Sequence, residues 1–136
     1  MPTTKEFTVH MEDRPGILGK FCRSMAEHGI NILAFQQFPH EGKSTVHFVV
    51  DNPTSAKTLL DNQNVHYTEK HVVQTKLPHR PGSLASAAAK LGEANININY
   101  SYSGIEPGTN APVVIFGVAE VNQATKILDE VAAAAA

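Results

Sequence analysis

Asp13-Arg14-Pro15-Gly16-Ile17-Leu18, followed by Gly29-Ile30-Asn31-Ile32, is a stretch that occurs twice. His79-Arg80-Pro81-Gly82-Ser83-Leu84 is followed in turn by Asn95-Ile96-Asn97-Ile98. Pro15 maps to Pro81 and Asn31 to Asn97 with one offset, 66 residues (81−15 and 97−31). A common offset at both ends of a segment marks a duplicated unit, and a repeat sets the frame for every other residue. Ahead of the first copy, Phe7, Val9 and Met11 alternate with Thr8 and His10, the pattern of a strand with one buried face. Behind Pro-Gly, the residues Leu18, Phe21, Cys22 and Met25 recur at helical spacing. Proline suits a first helical turn, and glycine lets the chain turn tightly and lets a backbone or ligand come close. The helix start presents unpaired N–H groups and partial positive charge, which favour an anion. Each strand–Pro-Gly–helix passage is therefore a candidate anion seat, and the chain has two.

Working outward, residues 5–11 read as a strand and 15–28 as a helix stopped by Gly29. Asn31 to about Phe38 reads as a second strand and Ser44 to Asp51 as a third. On the third strand Val46, Phe48 and Val50 face one way and Thr45, His47 and Val49 the other. Asn52 is placed to cap a helix that begins at Pro53 and buries Ala56, Leu59 and Leu60. Val65 to Thr68 is short and extended. In the second copy Val73, Thr75 and Leu77 take the places of Phe7, Val9 and Met11. Leu84, Ala87, Ala88 and Leu91 replace Leu18, Phe21, Cys22 and Met25. A strand follows from Asn97 to about Ser103, another from Val113 to Val118, and a last helix from about Asn122. Five alanines follow Val131, with no further strand evident. They either prolong the helix or form a tail. The expected fold is α+β: two ferredoxin-like βαββαβ units, residues 1–70 and 71–136, with 131–136 an alanine-rich tail. Each has an antiparallel sheet with helices on one face, and the second lacks its last strand.

Composition narrows the function. The net charge is −2 and charged residues make up 18% of the chain, which points to neither nucleic acid nor an acidic membrane surface. Cys22 is the only cysteine, so there is no disulfide framework. No leader-like start and no apolar run of membrane-spanning length is evident, and the expectation is a soluble cytoplasmic protein. No Ser-His-Asp order, carboxylate pair or phosphate-binding glycine loop stands out, so no catalytic residue and no cofactor is assigned. Seven histidines raise a metal-responsive alternative, but no local His/Cys spacing converges as metal ligands do. Cys22 reads as a structural thiol on an inward helix face.

Strand, Asp-Arg-Pro-Gly-Ile-Leu, helix, Gly-Ile-Asn-Ile, strand resembles the ACT domain, a small-molecule-binding regulatory module of amino-acid metabolism. The resemblance covers both halves, over roughly residues 5–131, and the whole is similar to short proteins made of two tandem ACT units. It implies that an amino acid binds where two units meet, against the strand-to-helix turn. It places Asp13, Gly16, Ile17 and Leu18 in one such turn and His79, Gly82, Ser83 and Leu84 in the other, with Asn31 and Asn97 at the starts of the second strands. Asp13 becomes His79 and Ile17 becomes Ser83, so the two seats differ: a carboxylate suits an ammonium group, a hydroxyl or imidazole suits a carboxylate. The reading is a non-enzymatic regulator that binds a small molecule, expected to be an amino acid, and acts through ligand-linked association. The alternative is an interaction module with vestigial sites. Strand parity turns Val113 and Ile115 away from the helices, with Tyr100 and Tyr102 as neighbours. This predicts an apolar patch and a homodimer formed on it.

Overall fold

The computed structural model describes residues 3–135, and the side chains as far as residue 131. Its internal contacts divide into two compact units, Lys5–Lys70 and Met1–Thr4 with His71–Ala136.

The first unit contains β1 (Thr3–Glu12), α1 (Ile17–Glu27), β2 (Ile32–His40), β3 (Lys43–Val50), α2 (Pro53–Asn62) and the beginning of β4 (Tyr67–Lys76). That is the α+β order βαββαβ. β3 runs between β1 and β2, antiparallel to both, with Phe48 opposite Phe7 on one side and Phe35 on the other. Alternation puts Phe7, Val9, Val46, Phe48 and Val50 on one face, where Met25 of α1 and Ala56, Leu59 and Leu60 of α2 cover them. Aromatic contacts knit this core. The rings of Phe7 and Phe48 stack at 5.5 Å, and Phe21 meets Phe48 edge-on at 5.3 Å. Tyr67 meets Phe7 at 5.8 Å and Lys5 Nζ lies 3.5 Å from Glu69, which sets the start of β4 beside β1. The α2 helix begins as its sequence demands: Asn52 Oδ1 accepts the Ser55 N–H at 3.1 Å and Pro53 fills the first turn.

The second unit continues with β4, then α3 (Ser83–Glu93), β5 (Tyr100–Ile105), β6 (Pro112–Gly117) and α4 (Val121–Ala135). β6 lies between β4 and β5, antiparallel to both. Val73, Leu77, Phe116 and Val118 meet Ala87 and Leu91 of α3 and Ala124 and Leu128 of α4. Where the first unit has Phe21, the second has Ala87, fully buried, as expected for a helix that packs closely.

Four expectations change. The short extended segment expected at Val65 to Thr68 instead begins at Tyr67 and belongs to β4, which runs unbroken to Lys76 across the expected unit boundary at residues 70 and 71. β5 starts at Tyr100 rather than Asn97 because the Asn97 side chain donates to Asn99 Oδ1 at 3.0 Å; the Asn99 N–H still reaches Gly117 at 2.8 Å. The alanine run prolongs α4 to Ala135, in keeping with alanine's helix propensity, and among the described residues no strand follows it. Val113 and Ile115 do point away from the helix-side core, yet they are 1% and 0% exposed within the chain itself. The apolar patch expected there is not a surface. No helix of the described residues is long and apolar enough to cross a membrane.

Candidate functional site

The two strand-to-helix turns have the same backbone. Gly16 has φ 89° and ψ −16°, and Gly82 has φ 92° and ψ −15°, both in the left-handed region. A Cβ built on either meets nothing within 4 Å. Glycine is therefore present for its backbone angle, not to admit a close neighbour. Each turn is closed in the same way, by Ile17 N–H to Arg14 C=O at 3.5 Å and by Ser83 N–H to Arg80 C=O at 3.3 Å. Among the described residues no side chain caps α1 or α3.

Behind each turn lies a cavity on the helix side of the unit. The first, about 790 Å³, has an apolar wall of Val9, Met11, Ile17, Phe21 and Val65. Lys20 and Ser24 of α1 and Lys43 of β3 supply polar groups, and Ser24 Oγ accepts from Gln63 Nε2 at 2.8 Å. The second, about 390 Å³, is lined by Leu77, Gly82, Ser83, Ser86, Lys90 and Val131, with Arg80 at the turn. The same offset of 66 relates Met11 to Leu77, Ile17 to Ser83, Lys20 to Ser86, Ser24 to Lys90 and Val65 to Val131. The cavities thus lie at equivalent positions of the sequence repeat.

The predicted residues do not all meet. Ile17 lines the first cavity; Gly82 and Ser83 line the second. Leu18 packs against the first core, whereas Leu84 stands 55% exposed. Asp13 Oδ1 accepts from Ser44 Oγ at 3.4 Å, which ties the turn to β3; His79 is exposed on its turn. Asn31 lies at the other end of α1, where its N–H donates to Asp51 Oδ1 at 3.0 Å and its carbonyl accepts the Asp51 N–H at 3.1 Å. The eleven residues of α1 span ~16 Å, so within one unit Gly16 and Asn31 do not share a cavity. The same holds for Gly82 and Asn97 across the eleven residues of α3.

Charges around the first turn are largely committed. Arg14 holds the Glu12 carboxyl below its usual range, first through a hydrogen bond and then through charge, with Lys43 adding to the effect. Burial pushes the Cys22 thiol up, which suits a structural group. On the other sheet face of the same unit, His47 Nδ1 sits 2.8 Å from Thr8 Oγ1 and 3.4 Å from the fully buried Glu6 carboxylate, while His10 Nδ1 lies 2.9 Å from Thr45 Oγ1. The strand histidines thus engage neighbouring side chains. In the second unit Tyr100 and Tyr102 stack at 6.4 Å, with the Tyr100 ring over Gly117.

Residues 6–64, most of the first unit, match the model of the ACT domain. No curated protein matches the sequence. Among solved structures, the fold is similar to protein BT0572 from Bacteroides thetaiotaomicron, with a TM-score of 0.81 and 22% identity over 94% of this chain and 88% of that one. It is also similar to the ligand-free regulatory subunit of aspartate kinase from Thermus thermophilus, with a TM-score of 0.62 and 18% identity over 95% and 91% of the two chains. Aspartokinase alpha and beta subunits give 0.60 and 17% over 96% and 93%.

The lysines and apolar walls behind the turns escape a reading confined to the motif. The signal was nevertheless present: at the offset of 66, Lys20 and Ser24 become Ser86 and Lys90. Glu6 gave no warning either, since a carboxylate in an alternating strand reads as solvated.

Proposed function

We propose that the chain is a pair of tandem ACT units, residues 1–70 and 71–136, and a non-enzymatic regulator that binds a small molecule, an amino acid in the first instance. Occupancy is coupled to association, with a homodimer as the simplest assembly. The observation that carries this reading is the duplicated turn: two glycines with matching backbone angles, each opening an uncapped helix beside a cavity. The ACT match over residues 6–64 supports it for the first unit, and the similarity to an aspartate kinase regulatory subunit agrees with a regulatory role. The turn residues Asp13, Gly16, Ile17 and Leu18, with their counterparts His79, Gly82, Ser83 and Leu84, form the two seats. Asn31 and Asn97 complete a seat only when another ACT unit brings its end of the helix to the turn. The mechanism is linkage: a ligand that prefers one arrangement of units shifts the population toward it by its differential affinity.

Val113 and Ile115 are buried and supply no dimer face. Phe35 and Phe38 on β2, 52% and 36% exposed, are the better candidates in the first unit. A thermal-shift panel of amino acids, followed by light scattering with the best ligand, tests the whole reading. A stabilising ligand raises the midpoint by mass action and changes the assembly state. A panel without effect leaves an interaction module with vestigial sites. A shift that chelator abolishes favours a metal-responsive regulator working through the histidines.

A further inference from the structure

The two cavities behind the turns differ in one systematic way. Lys20 and Ser24 sit one turn apart on α1; their equivalents on α3 are Ser86 and Lys90. At this pair of positions each helix therefore keeps one lysine and one serine in exchanged order, and the cation moves by four residues, ~6 Å along the helix. Among the described residues no acidic side chain lines either cavity. Among the described residues Lys20 has no carboxylate within 4 Å, and the ion pair Lys90 makes with Glu93, at 3.4 Å, is exposed, where such pairs are weak. Beside the lysine each groove has apolar lining, Met11, Phe21 and Val65 in the first and Leu77 and Val131 in the second. A lysine at an apolar wall matches a ligand with an anionic head and an apolar body. With no carboxylate to receive it, an α-ammonium group entering the groove loses its water without gaining a charged partner.

We propose that these grooves are binding sites for small apolar monocarboxylates without an ammonium group, reaching along the helix from the turns and sharing Ile17, Gly82 and Ser83 with the seats there. Lys20 holds the carboxylate in the first groove and Lys90 holds it in the second, one helical turn further from the helix start. The site is carried by each unit's own side chains and needs no second copy. Lys43 adds a second cation in the first groove and Arg80 in the second, and the larger volume of the first admits the longer ligand.

The test uses hexanoate, norleucine (hexanoate with an α-ammonium group) and hexylamine as probes, titrated into the full chain and followed by amide chemical shifts. Hexanoate is expected to shift the signals of Lys20, Phe21 and Val65 in one group and of Ser86, Lys90 and Val131 in another. Norleucine should bind both groups more weakly than hexanoate, and hexylamine should leave them unmoved. Lys20→Met should weaken hexanoate at the first group alone, and Lys90→Met at the second alone, each by roughly ten- to hundredfold, the effect of losing one hydrogen bond to a charged group. The conservative Lys20→Arg should retain binding. Norleucine binding as tightly as hexanoate, absence of hexanoate shifts in the grooves, or unchanged affinity in both Met variants would overturn the proposal. Amino-acid stabilisation that survives in the Lys20→Met/Lys90→Met double variant leaves the regulatory reading standing if the grooves fail. Hexanoate binding without any amino-acid response does the reverse.

Discussion

Replacing Gly16 or Gly82 with alanine isolates the physical reason for the Pro-Gly turns. Both glycines lie at φ close to 90°, a difference of 3° (92−89), and neither has an atom within 4 Å of an added Cβ. Steric conflict with neighbours therefore contributes nothing, and the cost is intrinsic to the backbone. An L-residue in the left-handed region costs about 1–2 kcal/mol. Alanine recovers about 0.4–1 kcal/mol of this by restricting the unfolded chain. The net loss is then about 1 kcal/mol at either site, equivalent to a fall of about 3–5 °C in Tm for a chain of this size. Asparagine tolerates the left-handed conformation better, so Gly16→Asn and Gly82→Asn should cost less than the alanine variants. Urea denaturation with Tm measurements on the four variants decides the matter. Because the added methyl points into open space, ligand response at saturating concentration should survive in the folded alanine variants. Alanine variants as stable as the wild type, or asparagine variants no better than alanine, would refute the argument from backbone angle. A folded alanine variant without ligand response would show instead that the glycine admits the ligand directly.

Phe48→Ala removes a fully buried ring that contacts both Phe7 and Phe21, and should cost about 3–5 kcal/mol in denaturant titration. Asn52→Ala deletes the α2 cap on Ser55 N–H and should cost about 0.5–2 kcal/mol; Asn52→Asp, which can accept the same bond, should recover most of it. Burial raises the Cys22 pKa, so the thiolate fraction at pH 8 should fall below that of an exposed cysteine, and alkylation by iodoacetamide should be slower in the native chain than after urea unfolding. Arg14 lowers the Glu12 pKa, so their attraction should persist as pH falls below the ordinary carboxylate range and fade only as pH drops through the lowered value. A carboxyl titration followed by NMR, repeated on Arg14→Gln, should move the Glu12 midpoint upward.

The order of elements and the turns were legible from residues alone because they rest on local physics. Alternation put Phe7, Val9, Phe48 and Phe116 on buried strand faces, Asn52-Pro53 announced a helix start, and Pro-Gly marked both turns. These signals need only the neighbours within a few positions of the chain. Tertiary structure decided what distant residues do to one another. Val113 and Ile115 alternate as residues of a second sheet face should, but whether that face meets water depends on what folds over it, and no local pattern records that. Thr68 to Lys70 are polar and lie at the expected unit boundary, yet β4 passes through them, which their side chains do not announce. The grooves required both levels. Their lysines and serines stand in the sequence at the offset of 66, but only packing brings Val65 into one cavity with Lys20 of α1, and Val131 into one cavity with Lys90 of α3.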